Sequence, residues 1–202
     1  MPIIKPLQLE PTSDIEDFAA SVFQPKTFSI IYGPEGVGKT ALLFKTLHHY
    51  YKTNLNDRGI AIGLDSIECY QYHQSKLAAA LGVSKIKDKF PLLTLKHCKS
   101  PDVFAEIFFH FLPTLASNGY TRFILADGLH HFSKPVNQNR VIKYLIQATD
   151  CGIPILATMQ TKPDLCYLNE FADVITHTFQ LERPEFLGGD ILEFGDTRLT
   201  ME

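Results

Sequence analysis

Gly33-Pro34-Glu35-Gly36-Val37-Gly38-Lys39-Thr40 fits the pattern G-x-x-x-x-G-K-[ST] in full. A β-rich run, Thr27-Phe28-Ser29-Ile30-Ile31-Tyr32, precedes it, and residues 41–51 carry apolar side chains at helical spacing after it. Strand, glycine-rich loop and helix in that order give the pattern its physical meaning. Glycines let successive backbone N–H groups turn inward at a helix N-terminus, where they form a nest for phosphate oxygens. Gly33, Pro34, Glu35, Gly36, Val37, Gly38, Lys39, Thr40 and Ala41 are therefore the expected binding segment for a nucleoside triphosphate such as ATP. Lys39 is expected to reach the β- and γ-phosphates, and the Thr40 hydroxyl to ligate Mg²⁺.

Working outward, strands and helices alternate. Residues 59–64, 91–95, 122–126 and 153–158 read as further strands, and residues 70–81, 103–112 and 141–149 as helices. Ser100, Pro101 and Asp102 form a helix start: a capping hydroxyl, a proline at the first helical position and a charge that complements the dipole. The strand segments are nearly continuous apolar runs, as expected of strands covered on both faces. Single helices between strands imply βαβ units and a mostly parallel sheet sandwiched by helices. Beyond Thr176 the pattern changes to short β-like pieces, 178–181 and 190–194, expected as a C-terminal antiparallel edge. Residues 1–14 are proline-rich and expected as an extended arm, with a single α/β domain over 15–202.

The composition suits that domain. Of 202 residues, 45% are hydrophobic and 20% charged, enough to bury a core. Lys and Arg total 19 against 22 Asp and Glu, a net charge of −3, which argues against coating nucleic acid or lipid by charge alone. No run of about eighteen apolar residues exists to span a membrane. The N-terminus lacks a basic stretch followed by an apolar one, so an intracellular protein is expected, nuclear in a eukaryote. Cys69, Cys98, Cys151 and Cys166 form no CxxC pair and are expected as reduced, partly buried thiols.

A nucleotide site needs an acid at a strand end to help hold magnesium, and Phe123-Ile124-Leu125-Ala126-Asp127 supplies it. The plainer alternative is a strand-terminating Asp in an Asp-Gly turn. Thr161-Lys162-Pro163-Asp164 mimics the base reader of GTPases, but Asp127-Gly128-Leu129-His130 is not their Asp-x-x-Gly. A nucleotide kinase would need an arginine-rich lid, and arginines are few.

The order of these landmarks resembles the RecA/Rad51 family of recombination ATPases and their paralogs over roughly residues 15–200. GPEGVGKT, the strand FILAD ending in Asp127, and GIPILATMQT ending in Gln160 carry the resemblance. Within that family, GKTALLF, ILADGLHHF and DCGIPILATMQT look most like the small Shu-type paralog that partners a SWIM-domain zinc protein. The resemblance implies a RecA-like P-loop NTPase core that binds ATP and Mg²⁺ and assists recombinase filaments on single-stranded DNA within a hetero-oligomer. It implies Lys39 and Gln160 as catalytic residues, Gln160 sensing the γ-phosphate, and Thr40 and Asp127 as metal ligands. Where the family places its catalytic glutamate this chain has Ser66, with Asp65 or Glu68 as substitutes after a small shift, or else as solvated turn residues. The N-terminal DNA-binding domain and the Phe-x-x-Ala polymerisation motif are missing, so long self-filaments are not expected.

Two short loops, 130–140 and 161–170, are the expected DNA segments. Lys134, Arg140, Lys143 and Lys162 would contact phosphates, and His131, Phe132 or Tyr167 would stack on bases. The same residues also fit an ordinary surface, and a catalytically silent RecA-fold interaction module is the alternative, with an unrelated small ATPase or kinase behind it. Phe104, Ile107, Phe108, Phe109, Phe111 and Leu112 crowd one helix, expected either as a buried helix or as partly meeting another subunit.

Overall fold

The computed structural model describes residues 13–64, 67–80, 82–106, 108–109, 121–132, 135–162, 175–182 and 198–201. In chain order the elements are α1 (Ser13–Val22), β1 (Thr27–Tyr32), α2 (Lys39–Thr53), β2 (Arg58–Gly63), α3 (Ile67–Ala80), α4 (Ile86–Lys89) and β3 (Leu93–His97). A helix α5 follows over residues 101–106. After it come β4 (Thr121–Asp127), a 3-10 turn (Leu129–His131), α6 (Pro135–Asp150), β5 (Ile155–Met159), β6 (Ile175–Glu182) and β7 (Arg198–Met201).

The strands form one sheet in the order β3-β2-β4-β5-β1-β6-β7, and the first six of these run parallel. Alternation along each strand divides the core between two faces. Ile31, Ala61, Phe123, Leu125, Leu156, Phe179 and Leu181 point to the side covered by α1 and α2. Phe28, Ile30, Ile60, Ile62, Ile124, Ala126, Ile155 and Ala157 point to the side covered by α5 and α6. Residues of opposite parity thus face opposite helical layers, which favours apolar side chains at the strand positions between them.

Ring packing closes the first face. Phe123 lies 5.2 Å from Phe23, 5.3 Å from Tyr50 and 5.8 Å from Tyr51, centroid to centroid. Gly59 is opposite Phe123 in register, and a β-carbon there would stand 2.0 Å from the Phe123 ring. On the second face Phe104 and Phe108 stack at 5.1 Å, and both are buried. Phe109 turns outward, 62% exposed, with its ring edge on Tyr144. Of the crowded helix, residues 107, 111 and 112 lie outside the described side chains.

Several boundaries differ from expectation. Residues 13 and 14 belong to α1 rather than to an extended arm, because Ile15, Phe18, Ala19 and Val22 give that segment an apolar face against α2. The helix expected over 141–149 begins at Pro135, a residue suited to a first helical turn, so part of the loop expected over 130–140 is helical. Segment 178–181 is not the antiparallel piece the sequence suggests; it lies in β6, which pairs parallel with β1 from Thr27↔Ile175 to Tyr32↔Gln180. Residues 160–174 separate β5 from β6, the dozen or more a parallel crossover requires. β7 pairs antiparallel with β6, from Glu182↔Arg198 to Phe179↔Met201. The other expected piece, 190–194, lies outside the described residues. The cap at Ser100 is formed: its Oγ accepts from the Val103 N–H at 3.3 Å.

Candidate functional site

The C-terminal ends of the parallel strands line up along one edge of the sheet. Tyr32 of β1 is level with Met159 of β5, and Gly63 of β2 is level with Asp127 of β4 and His97 of β3. Loops that leave this edge can converge on a ligand, as open parallel sheets generally arrange.

Residues 33–38 leave β1 and hand the chain to α2. Gly33 N–H donates to the Met159 carbonyl at 3.3 Å, which ties the start of the loop to β5. Gly38 caps α2 with φ 98° and ψ 17°, a left-handed conformation in which glycine is favoured. Pro34, Glu35 and Gly36 are exposed, and Val37, Thr40 and Ala41 are partly so.

Lys39 is buried at 7% exposure, and its Nζ donates to the carbonyls of Gly33 at 2.8 Å and Pro34 at 2.7 Å. The ammonium therefore caps the inside of its own loop. Burial pushes its pKa down, opposed by the charges of Asp127 and Glu35.

Thr40 Oγ1 donates to the Asp127 carboxylate, 2.8 Å from Oδ2 and 3.1 Å from Oδ1. The two residues expected to hold a metal are thus brought into contact from α2 and β4. A hydroxyl and a carboxylate are both hard oxygen donors, a set that fits Mg²⁺ arriving with phosphates and water.

A third residue completes this cluster. Thr158 of β5, 1% exposed, donates from Oγ1 to Asp127 Oδ1 at 2.5 Å and accepts from the Gly128 N–H at 2.9 Å. Sequence reasoning missed it. The available signal was a hydroxyl at the end of an otherwise apolar strand, in a position that alternation assigns to the core.

Gly128 (φ 88°) then turns the chain into the 3-10 turn Leu129–His131. Leu129 and Phe132 are buried on either side of His130 and His131. Phe132 therefore cannot stack on a base; it fills the core beside α6, and its carbonyl accepts from Gln138 Nε2 at 2.8 Å. His131 is exposed.

The remaining expected residues are spread more widely. Gln160 follows β5 on the same edge and is partly exposed. Glu68 lies in the first turn of α3; Asp65 and Ser66 lie outside the described residues, as do Lys134 and Tyr167. Arg140 is on α6 and donates to Asp102 at 2.8 Å and to the Tyr144 hydroxyl at 3.1 Å. Lys162 is exposed. Cys98 is buried in the second core face, and its thiol is pushed up to about 12 by that burial; Cys151 is exposed and free.

No protein-family model matches the chain, and a search of curated proteins finds no match.

Proposed function

We propose that this chain is a RecA-like P-loop core that binds ATP with Mg²⁺ and acts as a recombinase paralog. In this reading it supports recombinase filaments on single-stranded DNA, as one subunit of a hetero-oligomer with another paralog or a SWIM-type zinc protein. The observation that carries the nucleotide reading is the convergence at one sheet edge of Lys39, held on its own loop, with the Thr40–Asp127 pair. The step from nucleotide binding to recombination rests on the sequence resemblance.

The chemistry follows from the side chains. On nucleotide binding Lys39 exchanges the Gly33 and Pro34 carbonyls for phosphate oxygens, a charge-assisted replacement within its reach. Thr40 and Asp127 would hold Mg²⁺, which when bound neutralises charge on the phosphate oxygens. Thr158 keeps the Asp127 carboxylate oriented. Gln160 lies where β5 leaves the sheet, on the edge from which it would face the terminal phosphate. Glu68 is the remaining candidate to activate water.

Turnover of ATP by the purified protein, with and without single-stranded DNA and beside Lys39→Ala, tests the reading. DNA-stimulated turnover that the substitution removes is the expected result. Failure of the unaltered protein to bind ATP sinks it. A second reading, a silent RecA-fold module kept for its surfaces, is favoured by Ser66 at the glutamate position. ATP binding that Lys39→Ala abolishes, without turnover under any condition, supports that second reading.

A further inference from the structure

We infer that His130 is a contact for the terminal phosphate of the bound nucleotide, donating a hydrogen bond that a nucleoside diphosphate cannot accept. The inference rests on the nucleotide reading above and adds a residue to that site.

The turn that carries His130 is fixed to the cluster around Asp127. Gly128 N–H is held by Thr158 Oγ1, which also binds the Asp127 carboxylate, so the turn keeps its place relative to the metal-ligand pair. His131 N–H donates back to the Gly128 carbonyl at 2.9 Å, and Leu129 and Phe132 anchor both ends in the core. The His131 ring lies against Gly128, where a β-carbon would come within 2.6 Å of its Cδ2. The His130 ring rests on the His131 ring at 4.1 Å. Little freedom remains for the imidazole.

Its Nδ1 is shut off from water and has no hydrogen-bond partner. An unmade hydrogen bond at a buried polar atom is unfavourable, and where that atom lies beside a candidate ligand site the ligand can supply the partner. Among the described residues, Lys39 at the start of α2 and His131 of its own turn act on it electrostatically, and both disfavour a proton on His130 beyond what burial does. The neutral ring keeps one N–H, and a bond to a phosphate oxygen selects the tautomer that carries it on Nδ1. Phosphate oxygens brought to Lys39 would therefore arrive beside an oriented imidazole whose need is a polar partner.

The test is equilibrium binding of ATP and of ADP, each with Mg²⁺, to the unaltered protein and to His130→Ala, His130→Asn and Lys39→Ala. His130→Ala should weaken ATP about tenfold, the worth of one charge-assisted hydrogen bond, and leave ADP within about twofold. His130→Asn carries an amide N–H near the Nδ1 position and should recover part of the loss. Thermal unfolding of the two ligand-free His130 variants above pH 7 should match the unaltered protein, since their substitution removes no hydrogen bond of Nδ1. If ATP and ADP weaken equally in His130→Ala, or neither changes, while Lys39→Ala still abolishes binding, this inference is overturned and the nucleotide reading stands. If the unaltered protein binds neither nucleotide, both fall together.

Discussion

Thr158 Oγ1 stands 2.5 Å from Asp127 Oδ1, and the bond crosses from β5 to the neighbouring β4. Sheet order gives it importance. β5 lies between β1, which delivers the Lys39 loop, and β4, which delivers Asp127. The end of β5 is therefore the wall between the two halves of the site, and Thr158 is the polar residue it presents there. Thr40 reaches Asp127 from α2 and Thr158 reaches it from β5, so both carboxylate oxygens are occupied by hydroxyls.

Replacing Thr158 with valine keeps the shape and removes the hydroxyl. Gly128 N–H and one Asp127 oxygen then lose a buried partner, at a cost of about 1–3 kcal/mol in stability. Magnesium-dependent ATP binding should need several-fold more Mg²⁺, because Asp127 is then held, among the described residues, by Thr40 alone. Thr158→Ser should restore both. An Mg²⁺ titration of ATP binding, read beside thermal unfolding, distinguishes these effects; unchanged Mg²⁺ dependence in Thr158→Val would refute the positioning role.

What the sequence made legible was periodic or local. The apolar runs FSII, FILA and IPILA became buried strands because each faces a helical layer on both sides. The glycine pattern at 33–38 became a loop at a helix start because it demands a left-handed cap at Gly38. Strand direction in β6 was not legible, since 178–181 alternates in the same way whichever neighbour it joins. Nor was the Thr158 bond, which depends on β5 being inserted between β1 and β4. Helix α1 escaped notice because its apolar face is short and its preceding prolines suggested an extended arm.

Gly38, in the site, and Gly59, at the opposite end of β2 from it, should fail in different ways. Gly59→Ala forces a β-carbon into the Phe123 ring at 2.0 Å, and should destabilise by about 1–3 kcal/mol through overpacking. Gly38→Ala meets nothing within 4 Å, so its cost is conformational alone, about 1–2 kcal/mol. Urea unfolding measures both. Pairing Gly59→Ala with Phe123→Leu should recover part of the loss, whereas no side-chain change should rescue Gly38→Ala.

Arg140 offers a test of the proposed DNA contact with little structural interference. Its ion pair with Asp102 is exposed on both sides, 48% and 76%, and such pairs contribute about 0–1 kcal/mol. Arg140→Gln should leave the unfolding temperature nearly unchanged. If the proposed complex forms, its single-strand binding should weaken across sequences, with the salt slope reduced by about one as the guanidinium leaves Asp102 for a phosphate. An unchanged slope would remove Arg140 from the proposed DNA surface.

Acid stability should depend on His130. Burial, with smaller contributions from His131 and Lys39, lowers its pKa to about 4. In the unfolded chain a histidine titrates near about 6.5. Above that value neither state binds the proton, and His130 has no effect on the pH dependence. As pH falls from about 6.5 toward 4, the unfolded chain takes up the proton and the folded one does not, so stability falls. Below about 4 both states are protonated and the effect levels off. Its size should be on the order of 2 kcal/mol after allowing for the partial exposure of the ring. His48, His49 and His177 are lowered by burial too and act in the same direction. Urea unfolding between pH 4 and pH 8 should therefore show a shallower acid loss in His130→Gln than in the unaltered protein, with the two curves separating below about pH 6.5. Parallel curves throughout would mean that the buried imidazole protonates as readily in the folded protein as in the unfolded chain.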